Sequence, residues 1–305
     1  MDIIDALILG IVQGLAEYLP ISSSGHLEIC REVLGLDLGG AESLQFDVML
    51  HVATVLSTIV ILWREFWPLV VSFFTFRRDD RFWYVCKILI SCIPIGIVGV
   101  FFKDTIETFF GQELTLVGTC LCVTAALLAF SYFFRTRPLE DGRLTPRYNS
   151  KTDTFVVEKD SFGRVYKPRD ISYIDAFVIG CAQAVAVLPG LSRSGTTIAT
   201  GILIGDKREQ VAQFSFLMVI IPILGEALLD IKDIFGVEAV DTAAGVATPE
   251  IGLGALLTGF IASFIVGCLA CKWMLALVKK GKLVWFALYC LIVGAICIAK
   301  GHGLF

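Results

Sequence analysis

Two short stretches of this sequence carry side chains suited to handling a phosphate group, and both adjoin apolar runs. The first reads Gln13-Gly-Leu-Ala-Glu17-Tyr-Leu-Pro20-Ile-Ser22-Ser23-Ser24-Gly25-His26. Gln13 and Glu17 are spaced i, i+4, so on a helix they project from one face, just ahead of Pro20 and the Ser/Gly turn. An ionisable residue in a membrane segment is costly and functional by default. Glu17 or His26 alone would fit the aqueous boundary equally well. The run of Glu, three Ser, Gly and His over positions 17–26 favours a site.

The second stretch reads Leu188-Pro189-Gly190-Leu191-Ser192-Arg193-Ser194-Gly195-Thr196-Thr197. Small residues such as Gly190 let backbone amides approach an anion. The Arg193 guanidinium matches phosphate in bidentate geometry, and a helix beginning near Gly195 adds hydroxyl donors and a favourable dipole. A boundary arginine with capping serines is the bland alternative. Together the loops offer an anion clamp, a carboxylate, candidate nucleophilic hydroxyls and an imidazole for proton transfer. The hydroxyls of Ser22, Ser23, Ser24, Ser192 and Ser194 are candidates for gripping the phosphate or attacking it. Which serine attacks, or whether a water does, stays open. A carboxylate beside a pyrophosphate also suits a hard divalent cation, Mg²⁺ or Ca²⁺, with Glu17 as the obvious ligand. No P-loop or dinucleotide fingerprint is present.

The elements that must position these loops are set by composition. Of 305 residues, 56% are hydrophobic and 18% charged, and the mean hydropathy is +0.78, far from the soluble average of about one quarter charged. The apolar residues gather into six runs near the roughly 20 residues that a membrane-crossing helix needs: Phe46–Trp63, Phe82–Phe102, Leu114–Phe134, Val211–Leu229, Ile251–Cys271 and Leu283–Ala299, with Lys87 and Glu226 as exceptions. Ile3–Ile21 and Ile171–Leu191 instead end in Pro and a Ser/Gly cluster. The net charge of −4 argues against nucleic acid as a partner, because a phosphate-backbone binder usually presents a basic surface. Most of the ten cysteines lie in the apolar runs, so the Cys268–Cys271 pair is read as helix packing rather than a metal or redox site. No cleavable signal peptide is expected, because Asp2 and Asp5 occupy the place of a positive n-region.

Lys and Arg are retained on the cytoplasmic side. Segments 64–81, 135–170 and 272–282 carry seventeen of them, whereas 26–45, 103–113 and 230–250 carry only Arg31, Lys103 and Lys232. The first set is assigned to the cytoplasm and the second to the outside. At an offset of 170 residues, nine of 22 positions coincide: Ile4, Asp5, Ala6, Gly10, Gln13, Ala16, Ser22, Ser24 and Gly25 fall on Ile174, Asp175, Ala176, Gly180, Gln183, Ala186, Ser192, Ser194 and Gly195. This is an internal duplication, and the loop assignment gives its copies opposite topology. Short helices interrupted by Gly and Pro in inverted repeats build sites near the bilayer midplane. The expected fold is an all-α integral membrane protein with six transmembrane helices plus two re-entrant helix-loop-helix hairpins, Ile3–Ile29 and Ile171–Ile204. Its expected divisions are 1–134, a cytoplasmic loop 135–170, and 171–305.

These motifs resemble those of the undecaprenyl-diphosphatase family associated with bacitracin resistance. That family is marked by (E/Q)xxxE, here Gln13 and Glu17; by Pro-x-Ser-Ser-x-Gly-His, here Pro20 to His26; and by Pro-Gly-x-Ser-Arg-Ser-Gly, here Pro189 to Gly195. The hydrophobic layout agrees over nearly the whole chain, apart from loop 135–170. The resemblance implies removal of the terminal phosphate of a polyprenyl pyrophosphate lipid at the outer face of the bacterial cytoplasmic membrane, with divalent-metal dependence. It implies roles for Glu17, Ser23, His26, Ser192, Arg193 and Thr197. Gln13 stands where some relatives have Glu, leaving one carboxylate in the metal pair Gln13 and Glu17. Association into a homodimer stays open. The rival class is a transporter or flippase of a polyprenyl phosphate lipid, because broken helices in inverted repeats also build carriers. A carrier needs to grip phosphate, but it needs neither a nucleophile nor a proton shuttle.

Overall fold

The computed structural model describes residues 1–36, 40–102, 114–133, 147–149, 154–156, 169–225, 227–228, 251–279 and 283–303. Loops 103–113 and 230–250, most of 135–170, and Glu226 lie outside the described residues.

Helix α1 (Ile3–Ala16) is opened by a capping box between Asp2 and Asp5, and α7 (Tyr173–Val185) by the same box between Ser172 and Asp175. Each is too short to cross a bilayer alone, and each leads through a tight turn into a second short helix, α2 (Ser23–Leu34) and α8 (Arg193–Ile204). Between and after these hairpins stand α3 (Gly40–Ile61), α4 (Trp63–Phe74), α5 (Asp80–Phe101), α6 (Leu114–Phe133), α9 (Arg208–Met218), α10 (Leu253–Lys279) and α11 (Val284–Gly301). The β structure named among the described residues is a three-residue antiparallel pair, β1 (Arg147–Asn149) with β2 (Thr154–Val156).

Four of these helices, α5, α6, α10 and α11, are long and apolar enough to cross a membrane. Helices α3 and α4 meet that condition only together, and are bent by 91° at the break between them. The protein is therefore an all-α membrane protein, with four to five spans among the described residues instead of the six expected. Two runs account for the difference. The Phe46–Trp63 run turns sharply at Leu62 into α4, which occupies most of what reads as a polar loop. The Val211–Leu229 run is interrupted at Val219, where α9 has ended, before helix resumes over 220–225.

The duplicated hairpins exchange partners between halves. Helix α1 packs on α10 and α7 packs on α5. The duplicated glycines make both contacts close: a Cβ at Gly10 would come within 2.5 Å of the Gly259 carbonyl oxygen, and one at Gly180 would strike the Ser91 carbonyl. Helices α6 and α11 pack on each other through Gly118 and Gly294, each set against the other's carbonyl oxygen. Lys87, an apparent anomaly in an apolar run, donates from Nζ to the Ile171 carbonyl at 2.7 Å and lies over the Tyr173 ring. All ten cysteines are free, and Cys271 is fully buried in the main apolar core.

Candidate active site

The two hairpin turns meet. Ser194 Oγ donates to the Leu19 carbonyl at 3.2 Å, Gly25 faces the Gly190 backbone and Gly195 faces Pro20, each so closely that a Cβ would stand 3.0 Å away. Both turns solve the same local problem in the same way. Ser22 caps α2 by accepting from the Gly25 amide, and Ser192 caps α8 by accepting from the Gly195 amide at 3.1 Å. Helix α8 thus starts at Arg193, slightly earlier than the sequence suggests. The two helix N-termini converge on one region, where their free amides and dipoles favour an anion. Ser22 itself holds a positive φ of 71°, a strained setting of the kind concentrated at functional sites.

Glu17 is the centre of the polar cluster. Its Oε2 accepts from Ser23 Oγ at 2.8 Å and from Gln13 Nε2 at 3.0 Å. The same oxygen lies 3.9 Å from His51 Nε2. The His51 Nδ1–H donates to the Asp47 carbonyl, so Nε2 is the free ring atom turned towards Glu17. Asp47 in turn pairs with Arg31, which also lies near Glu28. The end of α1 is fixed by the neighbouring Tyr18, whose buried hydroxyl meets the Thr54 carbonyl at 2.6 Å, Ser57 Oγ at 2.5 Å and Thr58 Oγ1 at 2.8 Å on α3.

Glu17 and Arg193 line one cavity, together with Thr54, Thr58, Ser194, Thr197 and Ser215. Arg193 Nη1 is buried and has no hydrogen-bond partner. A guanidinium nitrogen left so is costly unless a ligand supplies the acceptor. The Thr197 hydroxyl donates back to the Arg193 carbonyl at 2.9 Å and steadies the first turn of α8. Ser24 Oγ lies 3.4 Å from Ser22 Oγ, and Ser194 Oγ 3.5 Å from Ser192 Oγ. Gly190 sits behind the second turn with a φ of 88° against Val117. The metal pair also has a physical basis: because Gln13 spends its amide nitrogen on Glu17, its Oε1 is left buried without a partner beside the carboxylate. Among the described residues no three or more His, Cys, Asp or Glu form a metal cluster, so a bound cation would draw its remaining oxygens from substrate and water.

His26 sits on the first turn of α2. Its two ring nitrogens contact the Ser22 carbonyl and the Tyr289 hydroxyl, and neither reaches Ser23 or Glu17. The imidazole beside Glu17 belongs to His51, which the sequence argument missed. The available signal was Asp47 and His51 at i, i+4 inside an apolar run. Ser215 and Thr58 carried no such signal.

With the geometry in place, comparison with known proteins decides the family. The family model described as bacitracin resistance protein BacA matches residues 6–296. The chain belongs to the BacA family. It is 51% identical to the undecaprenyl-diphosphatase of Bacteroides fragilis over 298 residues, covering 98% of each chain. It is 50% identical to that of Bacteroides thetaiotaomicron over 295 residues, covering 96% of this chain and 97% of the relative. The protein of the same name from Christiangramia forsetii is 39% identical over 298 residues, again covering 98% of each chain. This BacA-family chain keeps Gln13, Glu17, Ser23, Arg193 and Thr197 around one cavity or in direct contact with a residue that lines it.

Proposed function

We propose that this chain hydrolyses undecaprenyl pyrophosphate to undecaprenyl phosphate and inorganic phosphate, returning the lipid carrier to peptidoglycan synthesis and giving bacitracin resistance. The observation that carries this reading is the hydrogen bond from Ser23 to Glu17 in a cluster that shares a cavity with the unpartnered guanidinium of Arg193. Among the described hydroxyls of the two turns, Ser23 alone donates to a carboxylate; Ser22 and Ser192 cap helices, and Ser194 donates to the Leu19 carbonyl.

In the first step Ser23 Oγ bonds to the terminal phosphorus as its proton passes to Glu17 Oε2. The bond from that phosphorus to the bridging oxygen breaks, and undecaprenyl phosphate leaves. Glu17 gives that proton up to the departing undecaprenyl phosphate; it then takes a proton from the water that attacks the phosphoserine and returns it to Ser23 Oγ as the bond from phosphorus to the serine oxygen breaks, giving inorganic phosphate and free Ser23. Arg193 and the amides opening α2 and α8 stabilise the charge that develops on the phosphoryl oxygens. Glu17 and Gln13 Oε1 would hold a divalent cation, Mg²⁺ or Ca²⁺, which would neutralise charge on the pyrophosphate.

The arginine- and lysine-rich segments 64–81, 135–170 and 272–282 support a cytoplasmic placement of their side of the molecule, and hence a bacterial inner-membrane enzyme whose site opens outward. The partner exchange of α1 with α10 and α7 with α5 supports two inverted repeats, 1–134 and 171–305, joined by loop 135–170. A cysteine at Ser150 should resist an impermeant thiol reagent in intact cells and one at Asp241 should react; the reverse pattern overturns the orientation. The activity itself is tested by phosphate release from a long-chain prenyl diphosphate by the purified protein in detergent, with and without chelator. Transport of the lipid in vesicles without hydrolysis would favour the carrier reading instead.

A further inference from the structure

We infer that Tyr289, on the last helix α11, is the positioning residue for His26: its hydroxyl and ring hold in one orientation the imidazole whose tautomer the Ser22 carbonyl sets. The inference rests on the proposed phosphatase reading and on the role in it that the motif Pro20 to His26 implies for His26.

The argument begins with what each ring nitrogen can do. His26 Nδ1 lies 2.8 Å from the Ser22 carbonyl oxygen. A carbonyl only accepts, so Nδ1 carries the proton, and in the neutral ring Nε2 keeps its lone pair. The partner of that lone pair is the Tyr289 hydroxyl at 2.8 Å, brought from 263 positions away in the chain. The two rings lie nearly parallel, 16° apart with centroids at 5.6 Å. The contact therefore restrains the imidazole in two ways, by a directional hydrogen bond at Nε2 and by the plane of the phenol.

Ser22 is also the residue with a positive φ and the cap of α2, so the backbone that orients Nδ1 belongs to the strained turn itself. The same helix α11 holds that turn a second time, where Cys290 Sγ donates to the Pro20 carbonyl at 3.4 Å. At the far end of α2 the Lys300 ammonium pairs with Glu32 at 3.2 Å. Tyr289 thus stands in a seam that clamps α2 to α11. The other titratable side chains near its phenol are Cys30 on α2 and Cys290 and Cys297 on α11. None of them competes for His26 Nε2 among the described hydrogen bonds. The arrangement follows the logic by which an acid–base histidine is oriented by a third group, here with the orienting contacts supplied by a backbone carbonyl and a tyrosine.

The test measures kcat and KM across pH for Tyr289→Phe, His26→Ala and the double variant, each checked for folding by its thermal midpoint in detergent. Phenylalanine keeps the stacked ring and removes only the hydroxyl. Tyr289→Phe should lower kcat about five- to tenfold, as expected for one lost hydrogen bond, while KM holds within about twofold. The limb of the kcat profile that His26→Ala removes should move to higher pH in Tyr289→Phe, because the hydroxyl no longer occupies the lone pair that a proton would take. The double variant should match His26→Ala within about twofold, since a residue acting through His26 has nothing left to position. Multiplicative losses in the double variant, or a wild-type profile for Tyr289→Phe beside an impaired His26→Ala, overturn the assignment of Tyr289 alone. Wild-type kcat in His26→Ala overturns it together with the placement of His26 in the site.

Discussion

Ser23 donates its hydroxyl hydrogen to Glu17 Oε2 at 2.8 Å, across the turn that separates α1 from α2. The donor opens one helix and the acceptor closes the other, so the pair exists only while Pro20 and the strained Ser22 hold the hairpin shut. Ser23→Ala and Glu17→Gln should each lower kcat by about a hundredfold or more without unfolding the protein, and the double variant should be little worse than either, because the two act as one unit. Single-turnover phosphate release on all three variants checks this. Losses that multiply would separate the two residues into independent roles.

Arg193 presents a buried, unpartnered Nη1 in the cavity that Glu17 lines. Arg193→Ala should reduce kcat/KM by at least about a hundredfold, and Arg193→Lys should recover little of it, because an ammonium lacks the planar fork that meets two phosphate oxygens. Full recovery by lysine would show that net charge alone is used.

Gly190 combines a φ of 88° with a backbone that would bring a Cβ to 2.5 Å from the Val117 carbonyl oxygen. Gly190→Ala should destabilise the protein by about 2 kcal/mol or more and impair the second turn. Gly96→Ala, at a helical glycine with open space around it, should be neutral or slightly stabilising. Thermal unfolding of the two variants side by side in detergent distinguishes strain and contact from a general intolerance of alanine.

Asp206 lies fully buried in the turn between α8 and α9, away from the site. Burial, then the charge of Asp175, push its carboxyl up to about 7, although Arg169 stands 3.6 Å away and opposes the shift. A carboxyl raised in the folded state holds a proton that the unfolded chain has already released, so the folded state binds more protons between about pH 4 and 7. This group's contribution to stability is complete at low pH and declines as pH rises through about 7. Asp206→Asn should flatten that part of the thermal-midpoint profile; an unchanged slope would assign it to other groups.

The sequence alone gave up the class of the protein and the parts of its site. Hydropathy is a local property, so it marks the spans α5, α6, α10 and α11 without any knowledge of packing. The repeat of Asp5, Gly10, Gln13, Ser22 and Gly25 in Asp175, Gly180, Gln183, Ser192 and Gly195 encodes matching hairpins through caps and close-packing glycines, which are also local. Tertiary structure decided which side chains face one another. Hydropathy could not foresee the 91° bend after α3 or the break at Val219, because side-chain polarity says little about where a backbone turns inside an apolar run. The sequence offers His26 as the imidazole of the site, but only the structure shows that Tyr289 on α11 holds its ring, while His51 reaches Glu17 from α3. Both partnerships join residues on different helices, and their geometry depends on how those helices rotate and cross, which no periodicity along a single strand of sequence records.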